Sequence, residues 1–308
     1  MKALLYDTYG GPEVLHIAER PTPEFGPVDV PVCVHAATVG VGDCKSRRGL
    51  LSHSAALPQT PGRYGSGEIA AAGAQVGTFG IGDGVVFSTP HSESGSAAEY
   101  VRVTADKIAL KPHTLSHVET ASLIQGGTCA YTCLVEAGAV GTGTKVLVQG
   151  AAGSVGSACV ELARYLGASV TAVCQETDRD YVHSLGAAQV VAFDREDFAE
   201  VVGDQDVVVD LLGGDVHRRS YDVLKHGGRL VYLNADPIEN RSAETGVSAI
   251  NAKIDSRAVV LDAVCRLAEL GVFMPKLGKV LPLPDGATAH RLVEAGAVKR
   301  GRVILQVV

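Results

Sequence analysis

Tryptophan is absent from the chain, and aromatic residues make up only 5% of its 308 residues. Proteins that bind single-stranded nucleic acid stack the bases on exposed aromatic side chains, so this shortage argues against that class. Positive charge is also scarce, because 27 Lys and Arg face 34 Asp and Glu, for a net charge of -7. We therefore expect no nucleic-acid partner and no anionic membrane surface as a partner.

Long apolar runs are missing as well, since none reaches the roughly 18 residues of a membrane span. The first residues contain no apolar stretch that would make a signal peptide. The seven Cys are odd in number and scattered, mostly in apolar surroundings such as Cys33 between two Val. This usage is typical of reduced thiols, and we expect a cytoplasmic protein without disulfides.

Glycine, in contrast, is abundant at 36 residues, and hydrophobic residues reach 46%. The length predicts two domains. Short strand-like segments between Gly and Pro turns predict a β-rich barrel in the first third of the chain. From residue 145, Val-rich runs alternate with short helices, which predicts a parallel sheet covered on both faces. The predicted boundaries are 1–115 for the first part of one domain, 116–256 for the second domain and 257–308 for the return to the first.

Four individual elements are predicted in addition. The residue pattern predicts a strand over 68–72 and a helix over 118–136. It also predicts a helix over 220–224, between two strands of the parallel sheet. The last strand, over 303–307, is predicted to pair within the first domain.

The most specific local signal is a glycine-rich loop between a strand and a helix. The strand over 145–149 runs directly into Gly150, and Gly153 and Gly156 follow at intervals of three. Small residues let the backbone approach a pyrophosphate, and the helix N-terminus presents free N–H groups to it. The alternative is a Gly-rich turn that only packs the helix on the strand. The predicted phosphate-binding residues are Gly150, Gly153, Ser154, Val155 and Gly156.

The end of the second strand of this region sets the choice between NADH and NADPH, because an acidic side chain there binds ribose hydroxyls. Cys174 stands at this end, and Arg179 follows with a guanidinium that matches phosphate geometry. Glu176 and Asp178 place negative charge nearby, so the predicted preference is for NADPH by a narrow margin. The alternative for Arg179, a solvated residue in the first turn of the next helix, remains open. The other predicted cofactor contacts stand at the ends of the third and fifth strands: Phe193 and Leu233.

The order and spacing of further segments, together with the glycine loop, resemble a known family nearly end to end. These segments are 39–49, 61–67, 82–86, 95–101, 184–187, 206–214, 227–231 and 301–305. The chain resembles the zinc-free branch of the medium-chain dehydrogenases/reductases, the quinone oxidoreductases related to zeta-crystallin. The resemblance implies an α/β fold in which a GroES-like β-barrel domain, built from both chain ends, carries an inserted Rossmann domain with a doubly wound parallel sheet.

The resemblance also implies that no metal is bound. Zinc-dependent members carry a Cys at the position of Gly40 and a His at the position of Arg63. The chain has no counterpart to their four-Cys structural zinc site either. Cys129 and Cys133 lie four apart on a predicted helix and could form a metal pair. Two such Cys in an Ala-rich helix are more often small buried hydrophobic residues.

The implied chemistry is hydride transfer from NADPH to a quinone or an α,β-unsaturated carbonyl compound. Lys45 matches a positive position of the family pattern and is the predicted oxygen-polarising group or proton relay. Its alternative is a surface Lys whose stem covers the barrel. Thr128 matches a family Thr placed near the nicotinamide, and its alternative is a packing role in the helix. The resemblance further implies a homodimer that pairs through the edge of the Rossmann sheet after residue 233.

The chain departs from the family at three positions. Gly40 stands where many quinone reductases carry an Asn, and Leu51 or Ser52 stands where a substrate-loop Tyr is common. Asp178 lies near the position of a Lys that contacts the 2′-phosphate. Two alternatives therefore stay open: a tailoring enone reductase of secondary metabolism, and a non-catalytic NADPH-binding protein of crystallin-like or regulatory type.

Overall fold

The computed structural model describes residues 1–51, 56–77, 79–90, 93–233, 237–254 and 256–308. Ser52, one of the two candidates for the missing Tyr, lies outside the described residues. The chain forms two compact units, one from residues 1–125 and 256–308 and the other from residues 126–255. The sequence analysis places its first boundary at 116 instead, close to the start of a helix that begins in the first unit and ends in the second.

The described residues contain strands and helices in an irregular first unit and a regularly alternating second unit. The strands are β1 (Lys2–Leu5), β2 (His16–Glu19), β3 (Asp29–Val39), β4 (Tyr64–Ile69), β5 (Gly84–Ser88), β6 (Tyr100–Thr104), β7 (Ile108–Leu110), β8 (Lys145–Gln149), β9 (Ser169–Cys174), β10 (Gln189–Ala192), β11 (Gln205–Asp210), β12 (Leu224–Tyr232), β13 (Ser248–Asn251), β14 (Leu277–Pro282) and β15 (Arg302–Gln306). The helices are α1 (Val41–Arg47), α2 (His117–Tyr131), α3 (Ser154–Tyr165), α4 (Arg179–Ser184), α5 (Phe198–Val201), α6 (Gly214–Ser220), α7 (Ser242–Thr245), α8 (Ala258–Glu269) and α9 (Gly286–Glu294). A π-helical segment, Thr132–Ala137, continues α2.

The first unit is built around the long strand β3, the centre of a seven-stranded sheet in which β15, β4 and β6 all pair with β3. Val30, Val32 and Val34 alternate along β3 and pack into one apolar core, as the period of a strand with one buried face requires. The last strand, β15, pairs antiparallel with β3. The predicted return of the chain end to the first domain is confirmed.

The second unit is a six-stranded sheet in the order β10-β9-β8-β11-β12-β13. All of its strand pairs are parallel. Numbered within the unit, the order is 3-2-1-4-5-6, the doubly wound order of dinucleotide-binding domains. Val-rich strands with no polar face, such as β8 and β11, are what a sheet covered on both sides needs.

Two element predictions are wrong. The helix predicted over 220–224 lies earlier, because α6 starts at Gly214 directly after Gly213 in a left-handed backbone conformation at φ 82°. The strand predicted over 68–72 is displaced, since β4 ends at Ile69. The helix over 118–136 is confirmed as α2 and its π-helical continuation. Among the described residues, no helix is both long enough and apolar enough to cross a membrane.

Candidate functional site

The glycine loop connects β8 to α3 and begins at Gly150, which has φ +71°. A side chain there would be strained in this left-handed region, so a glycine is required. Gly156, in the first turn of α3, is required for a different reason. A Cβ atom on Gly156 would overlap the carbonyl oxygen of Gly150. The fold itself therefore explains two of the three glycines.

Gly153 is the glycine that the fold does not explain. Its φ of -71° and ψ of 168° are open to any residue. Among the described residues, a Cβ atom there would meet only the Gly150 carbonyl oxygen, at an ordinary contact distance of 3.4 Å. Gly153 is the N-cap of α3 and supplies no side-chain cap, so the positive end of the helix dipole lies at this position. A bare backbone at this position fits the close approach of an anionic group such as a dinucleotide pyrophosphate.

The other predicted cofactor contacts of the second unit stand at the same edge of the sheet. The Ala151 N–H donates to the Val173 carbonyl at 2.9 Å and joins the glycine loop to the end of β9. The Phe193 N–H donates to the Cys174 carbonyl at 3.0 Å. Leu233 follows β12, and its N–H donates to the Asp210 carbonyl at 3.2 Å. Because parallel strands all end at this edge, the sheet gathers residues far apart in sequence.

Side-chain exposure separates these residues into two kinds. Phe193 is 57% exposed, a large apolar ring beside the strand end that is available to a flat ligand. Cys174 is buried, and burial raises the pKa of its thiol to about 11. Ser154 and Val155, the first two residues of α3, are half-buried. The Cys174 thiol is therefore an uncharged, buried group at this point. The Phe193 ring is exposed and can contact a ligand.

Arg179 is less available to a phosphate than the sequence suggests. Its Nε donates to Glu176 Oε2 at 2.9 Å, and one terminal nitrogen donates to Glu196 Oε1 at 3.3 Å. The other terminal nitrogen donates to the Val190 carbonyl at 2.7 Å. Hydrogen bonding to Glu176 raises the pKa of the guanidinium above its usual value. A phosphate would have to displace at least one carboxylate.

A buried carboxylate supports the loop after β11, next to the glycine loop. Asp210 Oδ1 accepts from the Leu212 and Gly213 N–H groups at 2.9 and 3.0 Å. Its Oδ2 lies 2.8 Å from His217 Nδ1, and both side chains are fully buried. This network positions Leu212, whose side chain would be the nearest neighbour of a Cβ on Gly150, at 3.4 Å. The network of Asp210 and His217 therefore supports the loop beside the glycine loop. Both of its side chains are buried and do not line the site.

The two predicted catalytic residues have different surroundings. Lys45 lies on α1 in the first unit and is half-buried, and its ammonium makes no ion pair with the residues that the structure describes. Thr128 lies on α2 within the second unit and is fully buried. Their predicted roles therefore rest on the family resemblance and on these local surroundings.

In the first unit, Asp43 occupies the segment where zinc-dependent members bind their catalytic metal. Its Oδ2 accepts from the Gly40 N–H at 2.8 Å, and its Oδ1 accepts from the Gly62 N–H at 3.1 Å. Burial raises the pKa of Asp43, and these N–H groups, Arg302 and Arg63 oppose that shift.

These residues do not fit a zinc ion. A Cβ atom on Gly40 would lie 3.3 Å from a terminal nitrogen of Arg302, so a guanidinium lies beside the position of the missing Cys ligand. Arg63 stands at the position of the missing His. Zinc requires neutral or anionic donors, whereas Arg302 and Arg63 are cations. These two guanidinium groups supply the positive charge beside Asp43 that a zinc ion would otherwise supply.

Sequence reasoning missed the part that Arg302 plays here. The residue belongs to a segment that contributes to the family resemblance, but nothing in its neighbours indicates a charge partner. Arg302 opens β15, and the pairing of β15 with β3 carries it to the end of β3 beside Gly40. Only the antiparallel register between two strands so distant in sequence shows this.

Comparisons with known proteins agree with this architecture. A family model described as the alcohol dehydrogenase GroES-like domain matches residues 26–113. A second, described as zinc-binding dehydrogenase, matches residues 185–305. The first match confirms the GroES-like domain, and the strand order above confirms the Rossmann domain. The name of the second family does not carry its metal to this chain, because Gly40 and Arg63 cannot serve as ligands.

Individual relatives cover the whole chain. The quinone oxidoreductase of Mus musculus is 29% identical, over 99% of this chain and 97% of the relative. The solved quinone oxidoreductase from Coxiella burnetii is 30% identical with a TM-score of 0.89, over 100% of this chain and 99% of that chain. A solved NAD-dependent alcohol dehydrogenase is also 30% identical, with a TM-score of 0.92 and full coverage of both chains.

Proposed function

The chain belongs to the quinone oxidoreductase family of the medium-chain dehydrogenases/reductases, a family of NAD(P)H oxidoreductases, and we propose that it reduces quinones or α,β-unsaturated carbonyl compounds without a metal. The cofactor, when bound, supplies the hydride. The protein's part is to bind, to orient and to stabilise charge on the substrate oxygen. Seven free cysteines are consistent with action in the cytoplasm, which we also propose.

The observation that supports this proposal most strongly is the bare backbone at Gly153. The first N–H groups of α3 lie beside it and would donate to the pyrophosphate. Gly150 and Gly156 keep the loop close to the sheet so that these donors are held in place before the cofactor arrives. Donors that are already oriented lose little entropy on binding.

For the nucleotide half of the cofactor, we propose NADPH with a narrow preference over NADH. Cys174 offers no carboxylate to the ribose hydroxyls, and Arg179 is the cation beside it. Arg179 must exchange Glu176 or Glu196 for the 2′-phosphate, and each unfavourable charge costs about 1 kcal/mol at a partly exposed distance. The attraction between Arg179 and the 2′-phosphate is therefore largely cancelled by the unfavourable charges of Glu176 and Glu196. The exposed ring of Phe193 provides an apolar face for the adenine.

For the substrate, we propose that Lys45 donates a hydrogen bond to the carbonyl oxygen that gains negative charge. An ammonium that makes no ion pair with a carboxylate among the described residues can stabilise such an oxyanion. We propose that Thr128 positions the nicotinamide through its place on α2.

The test is oxidation of NADPH, followed by its absorbance, with 9,10-phenanthrenequinone, 1,4-benzoquinone and a simple conjugated enone. The proposal predicts turnover with at least one of these acceptors. Lys45→Met should lower kcat/KM for that acceptor and leave the Kd for NADPH unchanged. NADPH binding without turnover of any acceptor would favour the non-catalytic alternative, and activity confined to the enone would favour the tailoring reductase.

A further inference from the structure

Two histidines and one glutamate meet on the first unit, apart from every residue assigned above. The side chains of His35 on β3, Glu68 on β4 and His117 at the start of α2 place one ligand atom each within 4.8 Å of one another. His35 Nε2 and His117 Nε2 each lie 4.0 Å from a different oxygen of Glu68. The two imidazole rings are stacked, with centroids 4.4 Å apart.

The backbone explains how these side chains meet. The pairing of β3 with β4 shifts register between Val34 and Ala36, which makes His35 the extra residue of a β-bulge. Bulges re-aim the side chain of the inserted residue. Glu68 and Ser66 are two apart on β4 and share a face of the sheet, and His117 contacts both.

Hydrogen bonding determines which nitrogen of His117 carries the proton. The Ser66 hydroxyl donates its one hydrogen to the Val85 carbonyl, at 2.8 Å. Ser66 Oγ also lies 2.8 Å from His117 Nδ1, so it accepts the Nδ1–H. His117 Nε2 is therefore the nitrogen with a lone pair. It faces the Glu68 carboxylate, another group of lone pairs, with no proton between them.

We propose that His35, Glu68 and His117 form a binding site for a divalent transition-metal ion, with Zn²⁺ the expected ligand. Two imidazole nitrogens and one carboxylate oxygen are a donor set that Zn²⁺ takes with an open fourth position. Ligating His residues usually donate their other ring N–H to a fixed acceptor, as His117 does to Ser66. The proposal is independent of the proposed function.

Binding needs only small movements. Tetrahedral donors at about 2.0–2.1 Å from zinc lie about 3.4 Å apart, so the ligand atoms must close by about 1 Å. Glu68 is half-exposed and can swing inward, and the rings must tilt out of their stack. Lys111 is the nearby cation, but its Nζ donates to the carbonyl oxygens of Pro112 and Leu115. Its charge moderates the affinity and does not block the site.

The ion would join two strands to the first residue of α2 and stabilise this part of the first unit. The site lies outside the segment that zinc-dependent members use, so it adds a metal where the sequence predicts none. Its ligands are 33 and 49 residues apart. These spacings match no metal-binding sequence motif, which explains why the sequence analysis does not detect it.

The test is calorimetric titration of the EDTA-treated and desalted protein with ZnCl2, for the wild type, His35→Gln and Glu68→Gln. His16→Gln is the matched control, because His16 also lies beside a single carboxylate, Asp7, at 3.3 Å, but belongs to no three-ligand group among the described residues. The wild type and the control should bind one equivalent of Zn²⁺. Each ligand variant should bind at least about ten-fold more weakly, since losing a direct ligand exceeds the loss seen for supporting groups.

A second measurement keeps the test decisive if a variant is less stable. At the same Zn²⁺ concentration, Zn²⁺ should raise the Tm of the wild type and of His16→Gln more than that of His35→Gln. Co²⁺ should give the intense visible absorption of a low-coordinate site in the wild type and in His16→Gln, but not in His35→Gln or Glu68→Gln. Absence of stoichiometric binding in the wild type would overturn the proposal, and so would an affinity in both ligand variants equal to that of the wild type.

Discussion

Arg179 and Glu176 form an ion pair at the end of β9, with Nε and Oε2 2.9 Å apart. The pair lies where we propose that a 2′-phosphate would distinguish NADPH from NADH. Glu196 approaches the same guanidinium at 3.3 Å from the other side. The guanidinium proposed to select NADPH is thus already shared between two carboxylates, which is why the proposed preference is narrow.

Substitutions of Arg179 and of Glu176 should change the preference for NADPH over NADH in opposite directions. The wild type should prefer NADPH about ten-fold in kcat/KM, a difference of about 1.4 kcal/mol. Arg179→Ala should remove most of that preference and leave NADH activity nearly unchanged. Glu176→Gln should increase it, because the guanidinium loses a competing charge. Arg266→Ala is the control, since Arg266 pairs with Asp262 on α8 of the other unit. A wild type that prefers NADH would contradict the assignment of Arg179.

Alanine substitutions at two glycines of the loop should separate binding from folding. Gly153→Ala should weaken NADPH binding by about ten-fold with little change in Tm, because a methyl group there makes only an ordinary contact with the described residues and would enter the space proposed for the pyrophosphate. Gly156→Ala should lower the Tm clearly, because its Cβ overlaps the Gly150 carbonyl. Fluorescence titration and thermal unfolding measure the two effects. Equal NADPH affinity in the wild type and Gly153→Ala would remove the main support for the cofactor site.

Chelation should leave the reaction intact. Asp43 is bonded to two backbone N–H groups and flanked by guanidinium groups, and Gly40 and Arg63 offer no zinc ligand. We expect the same kcat before and after EDTA treatment, with a zinc-dependent alcohol dehydrogenase as the positive control. The same treatment would also empty the proposed site at His35, Glu68 and His117, which lies apart from the residues proposed to act in hydride transfer. A loss of kcat restored by Zn²⁺ would contradict metal-free hydride transfer.

Thiol chemistry should be slow and confined to one residue. Burial raises the pKa of Cys174 to about 11 and that of Cys44 to about 12, so both stay protonated at pH 8. The thiolate is the reactive form. Burial also raises the pKa of Cys33, but its side chain is only half-buried, so iodoacetamide at pH 8 should label it before either of them, as mass spectrometry would show. Rapid loss of NADPH binding with Cys174 labelled would contradict this.

The same shifts set the stability at high pH. A thiol has an ordinary pKa of about 8.5 in the unfolded chain, and the raised folded values mean that only the unfolded state ionises at first. The free energy of unfolding should therefore fall as the pH rises from about 8.5 towards 11. Cys174→Ser should make that fall shallower in denaturant titrations, and an unchanged slope would contradict the assigned pKa.

We also propose a homodimer, and the structure identifies the strand to test. The sheet of the second unit ends at β13, the strand after the predicted segment. The Ala252 N–H donates to Tyr232 at 3.0 Å, so the N–H of Asn251 points outward by the alternation of a strand. Asn251→Pro should give a monomer in light scattering, whereas Asn251→Ala should stay dimeric. A monomeric wild type would contradict the proposal.

The glycine loop and the parallel sheet could be predicted from the sequence because both depend on local properties. The three glycines lie within one turn and the start of one helix: Gly150, Gly153 and Gly156. The Val content of the strands by itself indicates that they are buried. Their meeting with Phe193 and Leu233 follows from a general rule, since parallel strands end at one edge. The predicted helix over 220–224 failed because a helix start at Gly213 and Gly214 depends on a backbone conformation that neighbouring residues do not reveal.

The charge partners that lie far away in the sequence were decided by tertiary structure alone, whereas Glu176 is three residues from Arg179 and could be recognised locally. Arg179 could be recognised as a phosphate ligand from its position, but its pairing with Glu196, 17 residues away, depends on how α4 packs on the sheet. His35, Glu68 and His117 come together through one bulge and one helix start. Such contacts depend on strand register, and a shift of one residue would turn each side chain to the other face of the sheet.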